Sequence, residues 1–392
     1  MTICQRVDER DLKVFWGLEG LYVNESEICY IDNDSGKIYY RGYDLEDLVK
    51  YASFEEVAYL LLYGKLPTRS ELEKFSSELK RRRVIESNVI DLLRTVPPDA
   101  YPIDVIRLAI DYYCTCRKFI NTGSLESNYE LAIDLISKLP VVLAYFYRIS
   151  NGLDVVLPRE ELDHPANFYY MMMGRFPDSE EYEAIKTIFI IYADHSLANS
   201  TFTAITVAST LTDLGSAIIA ALSSLKGPLH GGANREVVNM ILEIGDEENV
   251  PKFVRERVEK KERIMGFGHR VYKKSTRGDP RVPILKEVAK KLAEKKGGKY
   301  LKVYRIAERL EEEVEKVLGH KGIKPNVDLY AGVILYLLDI PQDYNPAIFA
   351  ISRIVGWVAH VLEYWKHNRL IRPLERYVGP IGLKYVPIDS RE

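Results

Sequence analysis

The chain has 392 residues, 47% hydrophobic and 28% charged, an ordinary globular balance with enough chain for one large core or two smaller ones. Its net charge of −3 offers no electrostatic footprint for a nucleic-acid partner. No uninterrupted apolar run reaches the ~18 residues of a membrane helix, and MTICQRVDERDLKVFWG lacks the layout of a signal peptide, so a cytoplasmic protein without a membrane partner is expected.

In chain order, ICYID-NDSG-KIYYRG reads as a β-hairpin around a glycine turn. Ser53-x-x-Glu56 is a capping box opening FEEVAYLLLY, which Gly64 ends. Thr68-x-x-Glu71 opens the next helix, with Leu72, Phe75 and Leu79 on one face. Cys114 and Cys116 do not have the CxxC redox spacing, and the four cysteines read as buried thiols. From Val303 the series Ile306, Leu310, Val314, Val317 steps at helical intervals until Gly319. Pro373 is expected to end the last helix, leaving Arg372 at its tip. Glutamine occurs only at Gln5 and Gln342 while Lys, Glu and Arg abound, a thermophilic bias. Strand signals are confined to the N-terminal third, so the fold class is mainly α. Residues 255–300 are richer in Lys and Arg than their flanks. A small domain over 226–334 is inferred, inserted in a large one built from 1–225 and 335–392, with a ligand cleft between them.

Four stretches break the helical pattern with polar residues a core would not choose: DHSLANSTF (194–202), KGPLHGGAN (226–234), GFGHR (266–270) and KPNVDLYAG (324–332). Each has one group suited to proton chemistry, namely His195, His230, His269 and Asp328. The histidine spacings match no short zinc pattern, so no metal is expected. Gly266-x-Gly268 lacks the third glycine and preceding strand of a dinucleotide site, and no GK[ST] or GxSxG is present. Acid–base chemistry without metal or covalent nucleophile remains. Around His269 the cations Arg270, Lys273, Lys274, Arg277 and Arg281 suit an anionic ligand; the alternative is a solvated basic loop with a stray histidine.

GPLHGGAN, GFGHRVYK followed by DPR, NVDLYAG, SRIVGW and NRLIRP, in this order and spacing, resemble citrate synthase of the bacterial and archaeal type over residues 15–380. The resemblance implies a two-domain helical fold and a homodimer closing over oxaloacetate, with acetyl-CoA as cosubstrate and no permanently bound cofactor. It implies an acyltransferase of the citrate (Si)-synthase type, in which Asp328 abstracts a methyl proton from acetyl-CoA. His230 would stabilise the resulting enol or enolate, and His269 would protonate the oxaloacetate carbonyl. His195, Arg281, Arg353 and Arg372 would hold oxaloacetate, Arg372 reaching in from the other subunit. Arg263, Ile264, Met265, Gly266 and Phe267 would touch the CoA nucleotide, with Lys273 near its phosphates. The physics agrees: a dianion calls for guanidinium forks, and an aspartate can deprotonate a thioester only if preorganised donors meet the oxyanion.

Two departures stand out. KSTRG makes a longer spacer before DPR than the family pattern has, so Arg277 rivals Arg281. HSLANSTF shifts Asn199 by one position from the usual HELNASTF, which leaves the contacts of His195 open. The closest rival is 2-methylcitrate synthase, which takes propionyl-CoA; an inactive acyl-CoA-binding protein and a helical metallohydrolase are remoter. His164 and His320 read as loop or cap residues, and His360 and His367 as structural.

Overall fold

A computed structural model describes residues 13–117, 124–269, 271–272 and 278–391. Residues 13–25 and 370–391 form one unit, almost without regular structure. Residues 26–369 form the other, which holds the core.

The hairpin is present: β1 (Cys29–Asp32) pairs antiparallel with β2 (Lys37–Tyr40), placing Asp32 opposite Lys37 across a turn closed by Gly36. A third strand, β3 (Tyr43–Asp44), follows β2 and runs directly into a helix. Among the described residues the rest is helical. The order is α1 (Leu45–Tyr51), α2 (Phe54–Tyr63), α3 (Arg69–Arg81), α4 (Ser87–Thr95), α5 (Pro102–Arg117), α6 (Leu125–Ser150), α7 (His164–Met173) and α8 (Ser179–Tyr192). There follow α9 (Asn199–Ala208), α10 (Leu214–Leu225), α11 (Ala233–Ile244), α12 (Val250–Glu259), α13 (Arg281–Lys296), α14 (Gly298–Leu318), α15 (Val327–Leu337) and α16 (Asn345–Trp365). Both expected capping boxes form, each side-chain oxygen accepting from the third helical N–H while the glutamate returns to the cap.

Helix α16 is the hub of the core, packed by α6, α9, α10 and α8. Contrary to expectation, it is long and apolar enough to cross a membrane, but 89% of its most apolar window is buried inside the protein. It also ends at Trp365, well before Pro373. Lys366 and His367 form a turn bonded to the Glu363 and Tyr364 carbonyls, and Asn368 Nδ2 donates to the Ser209 carbonyl (3.1 Å), which draws the chain aside. The thiols differ from expectation as well. Cys29 on β1 is only half-buried; on α5 Cys114 is half-buried and Cys116 exposed, because positions two apart on a helix point to different faces.

Candidate active site

The site starts from a splice between two of the polar loops. Phe267 and Pro325 form an antiparallel bridge, Gly268 N–H donates to the Lys324 carbonyl (2.8 Å), and Asn326 N–H donates to the Gly266 carbonyl (2.9 Å). Asn326 Nδ2 adds a bond to the Gly268 carbonyl at 2.7 Å. Gly266 has φ +81°, and a Cβ there would lie 3.1 Å from the Leu329 Cβ. Only glycine allows that approach without strain. The GFG segment thus binds the His269 loop to the start of α15, the helix that carries Asp328.

Two side chains cap that helix. Asn326 Oδ1 accepts from Asp328 N–H (3.0 Å), and Asp279 Oδ2 accepts from Val327 N–H (3.0 Å). Asp279 also grips Arg281, the first residue of α13, through Nε–Oδ1 (2.9 Å) and Nη2–Oδ2 (2.7 Å). Both residues are 2% exposed. Burial opposes ionisation of Asp279, but the guanidinium overrides it and holds the carboxyl below the ordinary range. Asp328 itself is half-buried, and among the described residues its carboxylate accepts no hydrogen bond. Desolvation pushes its pKa up, Arg281 pulls it down and Asp279 adds to the rise, so that it reaches about 7. A carboxylate raised that far is a much better base than an ordinary one near 3.9.

Three histidines gather near Arg281 and Arg353. The His195 and His269 rings lie edge to face with centroids 5.4 Å apart, and Tyr272 closes the group, its hydroxyl 2.8 Å from His195 Nε2. Desolvation lowers all three histidine pKa values, aided by Arg281 for His195 and His269 and by Arg353 for His230. His230 and His269 fall to about 4. Both rings are therefore neutral near pH 7, and their contacts set their tautomers. His269 Nδ1 accepts from Val271 N–H (3.1 Å), which leaves the proton on Nε2. His230 Nε2 lies 2.9 Å from Ser200 Oγ, whose oxygen already accepts from the Trp357 indole N–H (3.1 Å). Ser200 Oγ–H has no other acceptor among the described contacts, so its proton is assigned to His230 Nε2, which puts the His230 proton on Nδ1. Each ring thus offers one neutral N–H donor.

The motif SRIVGW on α16 completes the wall. Arg353, 1% exposed, donates through Nε to the Tyr192 carbonyl (2.6 Å) and stacks over Phe349 at 4.6 Å. Among the described residues no carboxylate forms an ion pair with Arg353; the nearby Asp194 is paired with His360, so the Arg353 charge is available to an anion. Phe349 also faces Tyr192 (4.3 Å) and His230 (6.2 Å), tying α8, α16 and the GPLHGGAN loop together. Gly356 is where α16 meets the His195 loop. Its N–H donates to the Ala193 carbonyl (3.0 Å), and a Cβ would lie 2.3 Å from Asp194 Oδ1. His360, one turn on, pairs with buried Asp194 at 3.2 Å, the structural task expected of it.

The shifted HSLANSTF segment is absorbed at Ser196, which adopts φ +54° while its N–H donates to Asp194 Oδ2 (2.8 Å). Asn199 becomes the first residue of α9 and accepts from Ser224 Oγ at 2.5 Å. His195 stays buried in the site. The structure thus groups His195, His230, His269, Asp328, Arg281 and Arg353. Of the expected CoA contacts, Ile264 and Gly266 are buried, Met265 and Phe267 are half-buried, and Arg263 is exposed. Lys273, like Arg270, Lys274 and Arg277, lies outside the described residues. Arg372 belongs to the other unit. Among the described residues no three His, Cys, Asp or Glu side chains converge as a metal site. Sequence reasoning missed Ser200, Tyr272, Asp279, Tyr192 and Phe349; only Asp279 had a local signal, two positions before Arg281 in DPR. His164, expected as a loop or cap residue, is the first residue of α7, directly after the N-cap Asp163, with its ring stacked on Phe54 (5.1 Å).

Comparison with known proteins places the chain in one family. The family described as citrate synthase, C-terminal domain, matches residues 17–374. Citrate synthase 2 of Bacillus subtilis is 42% identical over 376 residues, spanning 96% of this chain and 98% of that relative. 2-Methylcitrate synthase 1 of Corynebacterium glutamicum is 37% identical, spanning 97% of this chain and 99% of its own. Among solved structures, the ternary complex of carboxymethyl coenzyme A and oxaloacetate with citrate synthase from Thermoplasma acidophilum aligns with a TM-score of 0.91. It is 35% identical and covers 97% of this chain and 100% of that one.

Proposed function

The chain belongs to the citrate synthase family of condensing acyltransferases, and from that premise we propose that it condenses acetyl-CoA with oxaloacetate and water to give citrate and CoA. The observation that carries the reading is one carboxylate with a pKa of about 7 beside two neutral, tautomer-fixed histidine donors and two buried guanidiniums.

The chemistry follows from the groups. Asp328 takes a proton from the thioester methyl group, and the negative charge moves to the thioester oxygen. His230 Nδ1–H meets that oxygen as a donor, an effect worth ~3–4 kcal/mol in a preorganised site. The nucleophilic carbon attacks the oxaloacetate carbonyl, whose developing alkoxide takes the proton of His269 Nε2. Water then hydrolyses the citryl thioester. Arg281, Arg353 and His195 hold the oxaloacetate carboxylates, Arg281 through the donors that Asp279 leaves free. Two arginines suit a dianion better than lysines because each fork matches a carboxylate. Arg263 to Phe267 and Lys273 are assigned to CoA, and 226–334 to a small domain that closes on the substrates.

The assembly belongs to the same proposal: a cytoplasmic homodimer in which Arg372 completes the partner's oxaloacetate site. Asp328→Asn and Arg372→Ala subunits, each nearly inactive alone, should regain about a quarter of wild-type activity when refolded together, since half the dimers are mixed and each has one intact site. No recovery in proven mixed dimers contradicts the shared site.

A second reading draws on the similarity to 2-methylcitrate synthase 1, in which propionyl-CoA is the acyl donor. One methylene in an apolar pocket discriminates by ~1–3 kcal/mol, roughly 10–200-fold. Thiol release with oxaloacetate tests both readings, acetyl-CoA giving the higher kcat/KM if the first holds. A higher value with propionyl-CoA reverses the assignment, and release with neither overturns both.

A further inference from the structure

Three polar atoms in the wall behind the base make no well-formed hydrogen bond. Tyr192, the last residue of α8, and Asn234, in the first turn of α11, are both 0% exposed. The Tyr192 hydroxyl and both polar atoms of the Asn234 side chain make no hydrogen bond of normal geometry within the described structure. Unsatisfied buried polar groups are costly and rare, and three together in one place call for a reason.

Their position supplies it. The Tyr192 main-chain carbonyl is held by Arg353 Nε, and its ring lies 4.3 Å from Phe349, so the side chain is fixed where it stands. Helix α15 packs on α11 and α8. The Asn234 main-chain carbonyl backs onto Gly332, where a Cβ would be 2.9 Å away. Gly332 is one helical turn beyond Asp328, on the same face of α15. The orphaned groups therefore stand between α8 and α11 beside the one side of α15 that presents the base. Burial, and next the Asp328 charge, raise the Tyr192 pKa, while a loose side-chain contact with Asn234, short of a well-formed hydrogen bond, lowers it.

We propose that the Tyr192 hydroxyl, backed by the Asn234 side-chain amide, is a positioning element for the Asp328 carboxylate, donating to it when the substrates close the site. Tyr192 touches no reacting atom. It fixes the direction of the carboxylate and lowers the cost of its ionised form, keeping a half-buried base ionised at working pH. The phenol stays protonated throughout, as a donor must. This assignment rests on Asp328 being the base.

The test is the pH profile of kcat in Tyr192→Phe, which keeps the ring on Phe349 and the carbonyl on Arg353. Losing a donor to a charged group should move the acidic limb upward by about one pH unit, the tenfold equivalent of one such bond. kcat at pH 7 should fall several-fold while KM for oxaloacetate holds, since the anion clamp is intact. A merely structural hydroxyl predicts the opposite pattern: an unchanged limb and kcat, with an equal or higher Tm because an orphaned group has left the core. That result overturns the proposal. Asn234→Ala, read by the same profile, should shift the limb in the same direction and decides the matter if Tyr192→Phe fails to fold. Asp328→Asn run in parallel separates the two readings. If it is inactive and the Tyr192→Phe limb is unmoved, only the positioning role fails; if it is active, the base assignment fails first.

Discussion

Ser200 Oγ stands 2.9 Å from His230 Nε2 while it accepts the Trp357 indole N–H at 3.1 Å. This chain from α16 through α9 into the GPLHGGAN loop fixes which nitrogen of His230 carries its proton. Ser200→Ala frees the ring to adopt the other tautomer and leaves the Trp357 N–H buried without a partner. kcat should fall at least tenfold with KM for oxaloacetate little changed, and stability should drop by ~1–3 kcal/mol. Tm and steady-state kinetics measure both. Normal kcat in the destabilised variant would show that the contact only packs the core.

The protonation states make a prediction about pH. His230 and His269 are held at about 4 by burial and the neighbouring arginines, whereas Asp328 is held at about 7. The base acts ionised, so kcat/KM for the free enzyme should fall as pH drops through about 7, with slope one. Neither His230 nor His269 should contribute a limb above pH 5. A limb that persists in the residual activity of Asp328→Asn would belong to another group.

Arg281 is bound twice by Asp279 and sits 2% exposed among the histidines. Arg281→Ala should raise KM for oxaloacetate at least tenfold more than Arg277→Ala does, by loss of a charge-assisted contact. The reverse order would mean that the longer KSTRG spacer has passed the carboxylate to Arg277.

Far from the catalytic groups, Glu55 is buried on α2 and accepts from His164 N–H at 2.7 Å. Burial first, and then Asp163, raise its pKa to about 7. A carboxyl whose folded pKa exceeds its unfolded value of about 4.3 stabilises the fold at low pH, and that contribution is lost as pH rises through about 7. Glu55→Gln keeps an acceptor for His164 and cannot ionise. The Tm of Glu55→Gln relative to wild type should therefore increase between pH 5 and pH 8. A constant difference would place the carboxyl's titration outside that window.

What could be read from the sequence follows from the range of the interactions. The capping boxes at Ser53 and Thr68 and the stop at Gly64 depend on neighbours within a turn, and all three are where the sequence puts them. The four polar loops stood out because His195, His230, His269 and Asp328 interrupt apolar periodicity. Nothing local, however, marks Ser200 as the partner of His230, thirty positions away, or Tyr272 as the partner of His195, seventy-seven away. Phe349 reads as plain core, yet it links Tyr192, His230 and Arg353. The GFG glycines suggest room for a ligand, while at Gly266 the neighbour that requires glycine is Leu329 of α15. β3 has only two residues before α1 begins, too few to show a strand period. The helix stop placed at Pro373 failed because the Asn368 bond to the Ser209 carbonyl, a contact distant in sequence, draws the chain off after Trp365.

The central claim is that Asp328 is the base of a condensation whose substrate anion is held separately by arginines. Asp328→Asn keeps the side-chain volume and the N–H of residue 328 that Asn326 caps, but cannot accept a proton from carbon. Citrate formation from acetyl-CoA and oxaloacetate should fall ~10²–10⁴-fold, while calorimetry finds oxaloacetate bound with near wild-type affinity. Retention of more than about a tenth of wild-type kcat, with oxaloacetate still bound, would contradict it.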